Sequence, residues 1–148
     1  MRYIISLAAL ATSVSAVGNA VVLNKCPFTI YAWSVSSSVG NQQTIATGGT
    51  FSEAFHHDDQ TGGIAIKITK EADGLYTGAP QQIFSYSLDT ATVWYDLSTA
   101  FGEPFSGSHI TVTQDGSRSI DWPTGSNPGG SQVKAGVSEK DVVFTACA

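Results

Sequence analysis

The 148-residue sequence is short of charge: Asp, Glu, Lys and Arg make up 13% of it, and acidic residues outnumber basic ones 12 to 7. Such a balance argues against nucleic acid as a partner, because binding a polyanion requires an excess of Lys and Arg. Long apolar runs are also missing. The longest one opens the chain and falls short of the roughly 20 residues that cross a bilayer core of about 30 Å, so no membrane insertion is expected. There are two cysteines; once paired they leave no thiol nucleophile. Asn-x-Ser/Thr sequons, a Gly-rich phosphate loop ahead of a helix, a nucleophile elbow and helical periodicity beyond two turns are all absent. None of these shortages points to a cofactor, and none is expected.

What is present begins with "MRYIISLAALATSVSAVGNA", in which Arg2 precedes an apolar run ending in Val14, Ser15 and Ala16. This reads as a secretory signal peptide over residues 1–16, cut after Ala16 or as late as Ala20. Residues 17–148 then have the size of one domain with a real core. The destination is extracellular space or the cell wall. In an oxidising compartment Cys26 and Cys147 should pair and tie the first strand to the last.

Apolar and polar residues alternate in "FTIYAWSV", "IAIKI", "VWYDLS" and "HITVT". Period-two alternation rich in β-branched residues marks strands with one buried face. Turn signals separate them at Gly48-Gly49, Gly62-Gly63, Asp73-Gly74, Asp115-Gly116 and Gly129-Gly130. The pattern predicts an all-β chain of about nine or ten short, mostly antiparallel strands closed into a sandwich or barrel. Residues 123–136, "PTGSNPGGSQVKAG", read as a surface loop.

Two of the three histidines stand in "FHHDDQTGG". A metal site here would draw on His56, His57, Asp58 and Asp59, with ligands about 2.0 to 2.2 Å from one ion. Neighbouring residues of a strand point to opposite faces, however, so His56 and His57 converge only if a turn begins at His57. The aspartates and glycines that follow favour a plain hairpin tip.

The order of the pieces, "AVVLNKCPFTIYAW", "TGGIAIKI", "IFSYSL", "VWYDLSTAFGEPF" and the closing "VVFTACA", resembles that of the thaumatin-like proteins. In its small size the chain is most similar to the fungal Blastomyces yeast-phase-specific family. The resemblance implies a thaumatin-like β-sandwich with Cys26 bonded to Cys147, without the further disulfides and loop-rich second domain of larger members. Those members have an acidic cleft that binds β-glucan and in some cases hydrolyses it weakly. One cleft aspartate matches Asp96 in "YDLS"; the cleft glutamate falls on Ser85; a further aspartate is replaced near Phe101 and Gly102, with Glu103 one residue on.

Glycoside hydrolysis needs two carboxyl groups about 5 to 9.5 Å apart, and Ser85 removes one of them. Parity within "VWYDLS" sends Val93, Tyr95 and Leu97 inward and leaves Trp94, Asp96 and Ser98 outside. A flat indole beside a carboxylate and hydroxyls suits a sugar. The candidate carbohydrate-binding residues are therefore Trp94, Asp96, Ser85 and Glu103. The sequence favours a secreted, non-enzymatic thaumatin-like protein, a fungal antigen whose partner is a cell-wall polysaccharide, over a weak β-glucan hydrolase or a metal-binding protein.

Overall fold

The computed structural model describes residues 16–148; the expected signal peptide lies almost wholly outside the described residues. In chain order the elements are β1 (Asn19–Asn24), β2 (Ile30–Val35), β3 (Gln43–Ile45), β4 (Thr50–Ala54), β5 (Ile64–Thr69), α1 (Gly74–Thr77), β6 (Gln81–Asp89), β7 (Thr92–Ala100), β8 (Ile110–Thr113), β9 (Ile120–Trp122), β10 (Lys134–Val137) and β11 (Val142–Ala146). The strands form two sheets, one of five in the order β4-β1-β11-β8-β9 and one of six in the order β10-β7-β6-β5-β2-β3. Eleven strands exceed the nine or ten expected. β3 and β9 have three residues each, too few to display an alternation. The Asp73-Gly74 turn opens into the single helical turn α1.

The alternating apolar residues meet between the sheets. Val22, Val112 and Phe144 from the smaller sheet and Ile66, Phe84 and Leu97 from the larger are essentially without solvent contact. Each such side chain stabilises the fold by about 1.5 to 3 kcal/mol relative to exposure. Phe144 stacks on Phe84 at a centroid distance of 6.3 Å, and Phe105 leans in from the loop after β7. All pairings are antiparallel except β1 with β11. Cys26 and Cys147 leave these two parallel neighbours in the same direction and form the disulfide, with Cα atoms 5.0 Å apart.

Candidate functional site

The outer face of the six-stranded sheet carries a groove of about 680 Å³. Its floor is built by strand register. Asp96 on β7 lies directly across from Ser85 on β6, and Ser85 directly across from Ala65 on β5. One step along, Trp94 sits between Ser87 and Ala135 of β10. One step the other way, Lys67 lies between Trp33 of β2 and Ile83. Paired residues of adjacent strands share a face, so Trp94, Asp96, Ser85, Ser87 and Lys67 all project to the same side, and all five line the groove.

Trp94 is open to solvent, at 47% exposure. Sequence parity also places Trp33 on this face, yet Trp33 is only 1% exposed. Tyr76 of α1 covers it edge-on, with ring centroids 6.4 Å apart. The loop expected over residues 123–136 ends at 133, just before β10 begins, and it does not close over Trp94. Ser126 Oγ and Asn127 N donate to Glu103 at 2.7 and 3.3 Å, and Trp122 Nε1 donates to Gln132 Oε1 at 2.9 Å. These bonds hold the loop aside, so that it reaches the groove only with Val133 at its rim.

Three of the four sugar-site candidates, Trp94, Asp96 and Ser85, are therefore brought together. Glu103 is not. β7 ends at Ala100, and the next residues, Phe101 and Gly102, take φ of 59° and 124°, a left-handed turn that leads the chain off the sheet. Glu103 instead lines a second, smaller cavity with Lys70, Glu71 and Pro80. Among the described residues, Asp96 is the one carboxylate lining the groove. Neither the Asp96 carboxylate nor the Lys67 ammonium has a hydrogen-bond or ion-pair partner among them. Lys67 and Val133 were not singled out from sequence. Lys67 was legible as an outward residue of "IAIKI", but its register against Ser85 was not.

The histidine segment is distributed rather than convergent. Asp58 Oδ1 accepts from Gln60 N at 3.0 Å, Thr61 N at 2.8 Å and Thr61 Oγ1 at 3.0 Å, while Oδ2 accepts from the Ser37 hydroxyl. These bonds, that of Ser37 foremost, hold the Asp58 carboxyl far below the usual aspartate range. His56 Nδ1 lies 3.2 Å from the Ala54 carbonyl and 3.1 Å from the Tyr86 oxygen. A carbonyl only accepts, so Nδ1 carries the proton. The Tyr86 hydroxyl donates to Glu53 at 2.9 Å; burial, with Glu53 beside it, pushes that phenol far up. His57 has only Asp59 nearby, at 3.7 Å. Among the described residues no three His, Cys, Asp or Glu side chains are grouped to hold a metal ion. His109, the third histidine, is paired with Asp121 on the opposite sheet.

Comparison with known proteins gives four findings. The family model of the Blastomyces yeast-phase-specific protein matches residues 7–148. An antigenic thaumatin-like protein of Arthroderma benhamiae is 34% identical over 116 residues, which cover 74% of this chain and 57% of that protein; the chain thus spans less than two thirds of the length of this relative. Among solved structures, the protein elicitor MoHrip2 from Magnaporthe oryzae superposes with a TM-score of 0.72 at 26% identity, over 88% of this chain and 99% of that one. The thaumatin-like xylanase inhibitor TLXI superposes with a TM-score of 0.62 at 10% identity, over 86% and 98%.

Proposed function

Because the chain belongs to the Blastomyces yeast-phase-specific protein family and has a thaumatin-like fold, we propose that it is an extracellular, non-enzymatic protein that binds a polysaccharide in the groove around Trp94. The observation that carries this reading is the open indole of Trp94 on the same face as the unpartnered Asp96 and the hydroxyls of Ser85 and Ser87. A pyranose ring laid on the indole buries apolar C–H surface, while the carboxylate accepts from sugar hydroxyls. Binding is favoured over hydrolysis because the groove lining offers one carboxylate and hydrolysis requires two. The disulfide supports an oxidising, extracellular setting. The names of the relative, an antigenic protein, and of the neighbour, an elicitor, support the same placement.

Tryptophan fluorescence is a direct test, since Trp33 and Trp122 are buried and Trp94 is the exposed one of the three. Titration with β-glucan and other cell-wall oligosaccharides should change the emission. Trp94→Ala should weaken binding about tenfold or more, as expected for loss of a buried aromatic contact of about 1.5 to 3 kcal/mol. Asp96→Asn should weaken it less, and no reducing sugar should be released by either protein. A flat titration across a broad glycan panel would overturn the binding reading. Sugar release abolished by Asp96→Ala would establish the hydrolytic one.

A further inference from the structure

The groove holds a charge that a neutral sugar does not call for. Lys67 is half-buried on the floor of the larger sheet, between Trp33 and Ile83, and its ammonium has no partner among the described residues. Asp96, the groove's carboxylate, is two residues further along the strands and two strands across. At sheet spacings of about 3.4 Å per residue and about 4.8 Å per strand, their Cα atoms are about 12 Å apart. Trp94 lies beyond Asp96 on the far side from Lys67, so the three residues run diagonally over the floor as indole, carboxylate and ammonium.

An ammonium kept among apolar neighbours without a counter-ion gains most from a ligand that supplies one, because a charge-assisted hydrogen bond is about twice as strong as a neutral one. A chain of sugar rings extends on from the one it stacks on Trp94, so a ligand also bonded to Asp96 places a later ring, or its substituent, over Lys67. The rest of the molecule limits how much negative charge is tolerated. The chain carries a net charge of −5, and Asp96 sits in the path, so a polyanion is repelled while an isolated anionic group is accepted.

Resting on the glycan-binding reading above, we propose that the ligand is a sparsely acidic heteroglycan: a largely neutral sugar chain with a single anionic substituent, a uronate or a phosphate ester, bound by Lys67. Lys67 is then a specificity-determining residue, and Trp94 and Asp96 hold the neutral part of the chain.

The experiment is a calorimetric titration of the wild-type protein with four probes of equal length. They are a neutral xylo-oligosaccharide, the same chain with one glucuronate substituent, the same chain with one phosphate ester, and an oligogalacturonate. Binding of at least one singly charged probe should be about three- to tenfold tighter than that of the unsubstituted chain at low salt, and the gap should narrow at 0.5 M salt. Which singly charged probe shows the gain tells uronate from phosphate. Lys67→Met should erase the gain and lower affinity for the neutral chain far less than for the charged one, and the oligogalacturonate should bind more weakly than the singly charged chains. Equal affinity for charged and neutral probes, or a charge preference that survives Lys67→Met, overturns the role of Lys67 while leaving glycan binding intact. If none of the probes binds, the role of Lys67 falls, and the glycan-binding reading is decided separately by the β-glucan titration and its Trp94→Ala control.

Discussion

Asp58 shows how much chemistry a conspicuous residue can have already committed. Both of its oxygens accept hydrogen bonds, from Gln60, Thr61 and Ser37, and so the carboxylate closes a turn and fastens it to the loop after β2; that turn lies in the crossover from β4 of the smaller sheet to β5 of the larger, not at the hairpin tip that the aspartates and glycines suggested. A folded-state pKa below the ordinary value of 3.8 means that the folded form binds the proton less readily than the unfolded chain. Its stabilising contribution is therefore complete above the ordinary aspartate range and is lost as the pH falls below it. Asp58→Ala should lower Tm by a constant few degrees between pH 5 and 8, and the difference between the two proteins should shrink on acidification below about pH 4. A gap that stays constant down to pH 2 would show that the carboxylate's charge is not what holds the turn. The aspartates and glycines of "HHDDQTGG" were enough to predict that turn. Ser37 as its outside partner was not visible, because that contact joins residues 21 positions apart.

At the scale of elements, β10 is an edge strand that lines up beside Trp94, and one side chain from the turn after β8 holds it there. Gln114 Nε2 donates to the Val137 and Lys140 carbonyls at 2.8 and 2.9 Å, and its Oε1 accepts from Val137 N and Ser117 Oγ, each at 2.8 Å. Gly136 makes room for it: a Cβ there would meet the Gln114 side-chain amide. Gln114→Leu removes all four bonds and leaves the partly buried Val137 N–H without its acceptor, at a cost of about 2 to 3 kcal/mol. Urea unfolding should register that loss, and hydrogen exchange should show faster exchange at the β10 amides than at those of β6. Uniform exchange across both strands would place the role of Gln114 elsewhere. Strands β2, β5, β7 and β8 were legible from alternation. β10 was not, because its large apolar residue faces outward: Val137 at its end is 46% exposed, as is Val133 just ahead of the strand at 49%. Reversed polarity at a sheet edge gives no period-two signal of a buried face.

For the whole molecule, the disulfide closes a loop of 121 residues and fastens β1 to β11, the one parallel pair among the described residues. In the chain-entropy account, cross-linking a loop of that length stabilises by about 4 to 5 kcal/mol. Replacing both cysteines by alanine should lower the unfolding free energy by about 3 to 5 kcal/mol in urea, while the folded protein keeps its β-sheet circular dichroism. A loss under 1 kcal/mol would mean that the β1–β11 ladder and the core suffice alone. The sequence by itself determined the all-β class, the pairing of its only two cysteines and the outward parity of Trp94 and Asp96, because each is set by neighbours one or two residues away or by composition. Only the tertiary structure decided which outward residues remain open. Trp33 and Trp94 share a face, yet α1 covers the first; Asp96 and Glu103 are near in sequence, yet a left-handed turn parts them. Cover and convergence come from segments far apart along the chain, and local alternation carries no record of them.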